Sequence, residues 1–202
     1  MNWMKKVAVA LVCLLPLGLQ AAKDTLQVKS PSMNKSIEVV VVSPDVAATK
    51  ACPVIYLLHG YGGNARTWVG IKPDLSKIAD EKGIFFVCPD GKNTWYWDSP
   101  LNADVRYETF ISDELVKYVD SHYKTVADRK GRAITGLSMG GHGAMWNGLR
   151  HSDVFSAAGS TSGGVDIRPF PKNWEMSVQI GEKAKYPENW LPKSFSILAM
   201  AA

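Results

Sequence analysis

Gly136-Leu137-Ser138-Met139-Gly140, with Gly141 close behind, is the stretch on which the reading of this chain turns. It has the form G-x-S-x-G. Arg132-Ala133-Ile134-Thr135 before it is short, partly β-branched and strand-like, and Gly141 to Arg150 after it predicts a helix. Strand, sharp turn, helix is the context in which this pattern holds a serine on a strained turn, with its hydroxyl at the tip beside a helix N-terminus. Glycines on either side remove the side chains that would clash where strand and helix crowd together. A glycine-rich turn with a satisfied serine fits the bare pattern too. The flanks favour a nucleophile at Ser138.

Working upstream, Pro53-Val54-Ile55-Tyr56-Leu57-Leu58 and Ile84-Phe85-Phe86-Val87-Cys88 are near-continuous apolar runs, the signature of strands buried on both faces. The first ends in His59-Gly60-Tyr61-Gly62-Gly63. A helix follows with Trp68, Ile71, Leu75 and Ile78 at helical spacing, broken at Pro73 and ended by Gly83. The second apolar run leads into Trp95-Tyr96-Trp97. A long amphipathic helix, Tyr107 to Tyr123, carries Phe110, Ile111, Leu115, Tyr118, Val119 and His122 on one stripe. Leu26–Lys29 and Ile37–Val42 read as an antiparallel hairpin that opens the fold, and Phe155–Ser160 as a fourth strand. Alternation of this kind predicts the α/β class: an open, mostly parallel sheet with helices on both faces. Ligands then bind at the carboxyl ends of the strands. The Tyr61 loop, the Trp95 loop and Ser138 all follow such ends.

The 202 residues suffice for one domain, residues 23–202. Residues 1–22 read as a secretory signal: Lys5 and Lys6, an apolar Val7–Leu19, and small Ala21 and Ala22 for cleavage. This predicts a secreted or periplasmic protein with no membrane attachment after cleavage. Without Lys5 and Lys6 the chain carries 21 basic and 19 acidic residues, and no Lys/Arg run argues for nucleic acid. Cys13 leaves with the signal. Cys52 and Cys88 fall at opposite ends of neighbouring strands, on the order of 16 Å apart, too far for a disulfide. Both read as buried thiols. Two cysteines and four scattered histidines form no metal-ligand cluster, and no cofactor is expected.

A serine nucleophile needs donors for the oxyanion and a base for its proton. The donors expected are the backbone N–H groups of Met139 and of Tyr61, with Gly60 or Gly62 as substitutes for the latter. The base is harder to find. His142 lies one turn into the helix that runs away from the site and reads as a packing or surface residue. His151 stands near that helix's end, and His122 lies at the far end of its own. His59 sits under the oxyanion loop, where it would hold that loop by hydrogen bonding. Asp153 and Asp166 have no histidine to orient.

Together these residues resemble the Putative esterase family of α/β-hydrolases, which includes esterase D, feruloyl and acetyl-xylan esterases, enterochelin esterases and the antigen 85 mycolyltransferases. The matching pieces are Leu57 to Gly63, Pro89-Asp90-Gly91, Trp95 to Pro100, Tyr107 to Ile111 and Ile134 to Gly141, within about residues 25 to 175. The resemblance implies a nucleophile at Ser138, oxyanion donors at Tyr61 and Met139, and a substrate surface that includes Trp95, Trp97, Gly60 and Gly62. Family members continue through further strands that carry an acidic residue and a histidine, whereas this sequence ends 64 residues after Ser138. The expectation is an α/β-hydrolase whose C-terminal strands, triad acid and triad histidine are missing. Such a chain would be a serine carboxylesterase for acyl, acetyl or feruloyl esters, small or linked to plant polysaccharide, with impaired turnover. Two rival expectations are an inactive fragment that binds carbohydrate through its aromatic loop, and an acyltransferase of the mycolyltransferase type.

Overall fold

Apolar strands dictate the centre of the molecule, a six-stranded sheet of order β1-β2-β4-β3-β5-β6. The computed structural model describes residues 22–191 and 194–197, so the signal reading of residues 1–22 falls almost wholly outside the described residues. β1 (Ala22–Ser30) and β2 (Lys35–Ser43) form the expected antiparallel hairpin, with Leu26 opposite Val39. The Val39–Val42 run is buried because β2 lies inside the sheet, between β1 and β4. β3 (Val54–Leu58) pairs parallel with β4 (Phe85–Pro89) on one side and with β5 (Arg132–Gly136) on the other.

The fourth strand is shorter than its sequence suggests. β6 is only Ala157–Ala158, exposed and parallel to β5. Phe155 turns into the core, edge-on to Tyr56 at 5.7 Å. Beyond β6 the chain is drawn to the serine turn, where Thr161 O accepts the Ser138 N–H at 2.8 Å.

Helices cover both faces, as the alternation predicts. On one face α1 (Thr67–Ile71) and α2 (Leu75–Lys82) close a core of Val40, Val42, Leu57, Phe86, Cys88 and Ala79. Gly83 ends α2 in the left-handed region, at φ 64. The opposite face holds the larger, aromatic core. There α3 (Tyr107–Thr109) passes through one π turn, Phe110–Glu114, into α4 (Leu115–His122), and α5 (Met139–Arg150) packs beside them. Phe110, Ile111, Leu115 and Val119 are buried as their spacing predicts. His122 is not. It is exposed in the last turn, stacks on Tyr118 at 3.9 Å, and sets its Nδ1 2.8 Å from Tyr118 O, capping a helix-end carbonyl instead of entering the core. Cys52 and Cys88 are free and buried, and burial pushes the Cys88 thiol up to about 12. A short α6 (Met176–Ile180) completes the described elements the site uses.

Candidate active site

Two close approaches build the turn at Ser138. A Cβ on Gly140 would stand 2.2 Å from Leu58 O, and one on Gly136 would stand 2.4 Å from the Gly140 carbonyl carbon. Only glycine permits β3, β5 and α5 to meet this tightly. Ser138 itself is held at φ 53, ψ −118. A non-glycine residue there costs about 1–3 kcal/mol. The surroundings hold it in place: Ser138 N–H donates to Thr161 O at 2.8 Å, Gly140 N–H to Leu137 O at 2.8 Å, and His142 N–H to Ser138 O at 3.0 Å. The serine is exposed, and its hydroxyl has no hydrogen-bond partner among the described residues.

Ser138 opens on a cleft of about 210 Å³. Tyr61, Trp95 and Met139 line it. The opposite wall comes from residues 162–176: Asp166, Ile167, Phe170, Trp174 and Met176 among them. Sequence reasoning missed this wall, although Phe170 and Trp174 are conspicuous aromatics in a polar segment. Both stay partly exposed, at 43% and 47%. Trp95 anchors the wall through its indole N–H, which donates to Trp174 O at 3.1 Å. Arg168 grips the Asp166 carboxylate through Nε and Nη2, both at 2.7 Å, and holds that carboxyl down near 2.

Trp97 is a correction. It is fully buried beneath the cleft and does not line it. Its indole N–H donates to His142 Nε2 at 3.0 Å, and its ring packs against Trp95, Trp146 and Phe195. Three aromatics in a row cannot all face solvent, and the left-handed backbone at Trp95 and Tyr96 (φ 60 at each) turns the later two inward. Gly60 does not line the cleft and packs against the serine turn: a Cβ there would meet Leu137 Cδ1 at 2.9 Å and Ser138 Cβ at 3.5 Å. Gly62 also departs from expectation. Its N–H is spent on Asn93 Oδ1 at 2.9 Å, so it is no substitute oxyanion donor, and it does not line the cleft.

The four histidines are all engaged elsewhere. His59 holds the Tyr61 loop, as expected: its Nδ1 lies 2.8 Å from Gly60 O, and Gly91 N–H donates to its Nε2 at 2.9 Å. Nδ1 therefore carries the proton in the neutral ring. Asp90 lies 3.5 Å from Nε2. Burial pushes the Asp90 carboxyl up, but Lys92, paired to it at 2.6 Å and donating its backbone N–H at 2.9 Å, outweighs burial and leaves the value at about 2. His142 is wholly buried, with Nδ1 2.6 Å from Gly164 O, and desolvation lowers its pKa to about 4. It is the packing residue the sequence suggests. His151 Nε2 pairs with Glu108 at 2.8 Å, near the far end of α5. Among the described residues, no histidine lines the cleft with Ser138. Ser196 is buried, and its hydroxyl donates to Val165 O at 3.0 Å.

This arrangement has relatives. The sequence profile of the family described as "Putative esterase" matches residues 30–195. Esterase Rv1288 of Mycobacterium tuberculosis is 31% identical over 149 residues, which cover 70% of this chain and 32% of that protein. An acetyl esterase of Caldicellulosiruptor saccharolyticus is 31% identical over 102 residues, covering 50% of this chain and 37% of its own length. Among solved structures, a ferulic acid esterase superposes with a TM-score of 0.69 at 30% identity, covering 84% of this chain and 69% of that one. The chain thus spans about a third of the length of these two curated relatives. With the match running from the opening hairpin to Phe195 and the serine turn inside it, the chain belongs to the Putative esterase family, on the α/β-hydrolase fold.

Proposed function

We propose that this chain is a serine carboxylesterase that forms an acyl-enzyme at Ser138. The observation that carries the proposal is the Ser138 hydroxyl itself: strained, exposed and unpartnered among the described residues, at the N-terminus of α5 and the mouth of an aromatic cleft. The ester carbonyl carbon would lie against Ser138 Oγ. Its oxygen would accept from the Met139 and Tyr61 N–H groups, where charge develops in the transition state. The acyl or aryl part would rest on Trp95, Phe170 and Trp174. An acetyl esterase and a ferulic acid esterase among the relatives support acetyl and feruloyl esters as the substrate class, with plant polysaccharide as a carrier.

Without an imidazole at Ser138, the described residues supply positioning and oxyanion stabilisation only. That combination leaves on the order of 10³–10⁴-fold acceleration over water. The proposal therefore includes weak turnover. The test is hydrolysis of p-nitrophenyl acetate by the chain and its Ser138→Ala variant. A faster wild type supports the nucleophile, equal rates refute it, and rapid turnover by the wild type refutes the weakened base. We read the protein as exported, from Lys5, Lys6 and the apolar Val7–Leu19 run. No helix among the described residues is long and apolar enough to cross a membrane. N-terminal sequencing of the protein from culture medium or periplasm tests export; a mature chain that still begins at Met1 contradicts it.

A further inference from the structure

We infer that Asn93 is a positioning residue for the acylation step, fixing the turn that presents the Tyr61 amide to Ser138. The inference rests on the roles proposed above for Ser138 and Tyr61. The turn Gly60-Tyr61-Gly62-Gly63 is closed by Gly63 N–H donating to Gly60 O at 3.0 Å, with Gly62 at φ 76. In such a turn the central peptide, from Tyr61 C=O to Gly62 N–H, has two orientations that distinguish the common turn types. Glycine offers little steric resistance to the flip. Asn93 supplies the resistance, because its Oδ1 accepts the Gly62 N–H at 2.9 Å.

That contact also orients the Asn93 side chain. Only an oxygen can face the Gly62 N–H, so Nδ2 points away and donates to Glu175 Oε2 at 3.4 Å. The Asn93 backbone is held in turn. Gly91 N–H donates to His59 Nε2 at 2.9 Å, Thr94 Oγ1 donates to Gly91 O at 2.6 Å, and Gln179 Nε2 reaches Asn93 O at 3.5 Å. Three pieces of chain around the cleft thus meet at one amide: the loop after β3, the loop after β4, and the segment of Trp174 and Glu175 that leads into α6. Trp174 and Glu175 sit at φ 48 and 54, an unfavourable pair for non-glycine residues, and the Asn93 and Trp95 contacts hold that bend. The Tyr61 N–H belongs to the peptide just before the one Asn93 fixes. The flip changes ψ of Tyr61 and φ of Gly62 and leaves that N–H in place; Asn93 acts on it by tying the turn to the loop after β4, and without the tie the whole turn, Tyr61 N–H included, is free to shift from Ser138.

The experiment follows one equivalent of p-nitrophenolate released from p-nitrophenyl acetate in a single turnover. Asn93→Ala slows the Ser138-dependent release about 10- to 100-fold, with half-saturating substrate nearly unchanged. The double substitution Asn93→Asp with Glu175→Gln keeps the acceptor for Gly62 and reverses the polarity of the outer bond, and it restores most of the rate. Wild-type release in Asn93→Ala, or a double variant no faster than Asn93→Ala, overturns the inference. Hydrogen exchange at the Gly62 amide is a second readout that needs no chemistry. Protection falls in Asn93→Ala and returns in the double variant, and unchanged exchange in Asn93→Ala overturns the inference whatever the rates do. Failure of the Ser138 reading looks different: Ser138→Ala then matches wild type while the Gly62 amide still responds to Asn93.

Discussion

Gly140→Ala tests the serine turn where the packing leaves least room. The added Cβ would stand 2.2 Å from Leu58 O, 2.5 Å from Leu58 C and 2.6 Å from His59 O. A carbon and a carbonyl oxygen in close contact keep about 3.3 Å apart, so strand and helix must separate by about 1 Å. The atoms struck are backbone, and they belong to β3, which is hydrogen-bonded to β4 and β5 on its two sides. β3 cannot yield without moving both neighbours. Overpacking of a core costs about 1–3 kcal/mol, and a backbone obstacle puts this case at the upper end. In a chain this long, about 3 kcal/mol lowers Tm by roughly 6–12 °C. Gly70→Ala is the matched control. Gly70 lies exposed in α1 with nothing within 4 Å of its added Cβ, so alanine there gains about 0.5–1 kcal/mol. Thermal unfolding of the three proteins side by side decides the matter. A Gly140→Ala melting temperature equal to that of wild type refutes the packing argument for the turn.

Buried His142 makes stability depend on pH. Desolvation lowers its pKa to about 4 in the folded chain, below the ordinary 6.5, so the unfolded chain binds the proton more readily. Stability is therefore full above about pH 6.5 and falls toward pH 4, by about 2 kcal/mol at pH 5. Urea titrations at pH 7.5 and 5 should show this loss in wild type, and a smaller loss in His142→Gln. Glu108→Ala strands the indole N–H of buried Trp146, which donates to Glu108 Oε2 at 2.7 Å, and also removes the partner of Arg150 and His151. It should cost about 3 kcal/mol in urea unfolding. Trp95→Ala removes both a cleft wall and the donor to Trp174 O. It should weaken binding of a feruloyl ester more than of an acetyl ester, read as a larger rise in KM.

The apolar runs of β3 and β4, the glycines around Ser138 and the break at Pro73 are local signals, and the sequence carries them plainly. They place the sheet, the two helical layers and the serine turn. Trp97 shows where local reading stops. Trp95 lines the cleft while Tyr96 and Trp97 are buried, and that choice depends on positive φ at Trp95 and Tyr96, which no side-chain pattern announces. The wall from 162 to 176 was hidden for a related reason: it folds back on the site through Trp95 and Asn93, contacts about 80 residues apart in the chain. Phe155–Ser160 has the composition of a strand, but Phe155 turns into the core against Tyr56 and only Ala157–Ala158 is strand, with an isolated parallel bridge from Thr161 to Leu137 beyond it. His59, by contrast, could be assigned to the loop from its place after β3 alone.

The most direct test is covalent. The chain is incubated with p-nitrophenyl acetate, quenched in acid, and its peptides are mapped by mass spectrometry. Our account predicts one acetyl group per chain, on the peptide containing Ser138, and none there in Ser138→Ala. A wild-type chain that stays unacylated, or that carries the acetyl group on another residue while the Ser138 peptide remains bare, contradicts it.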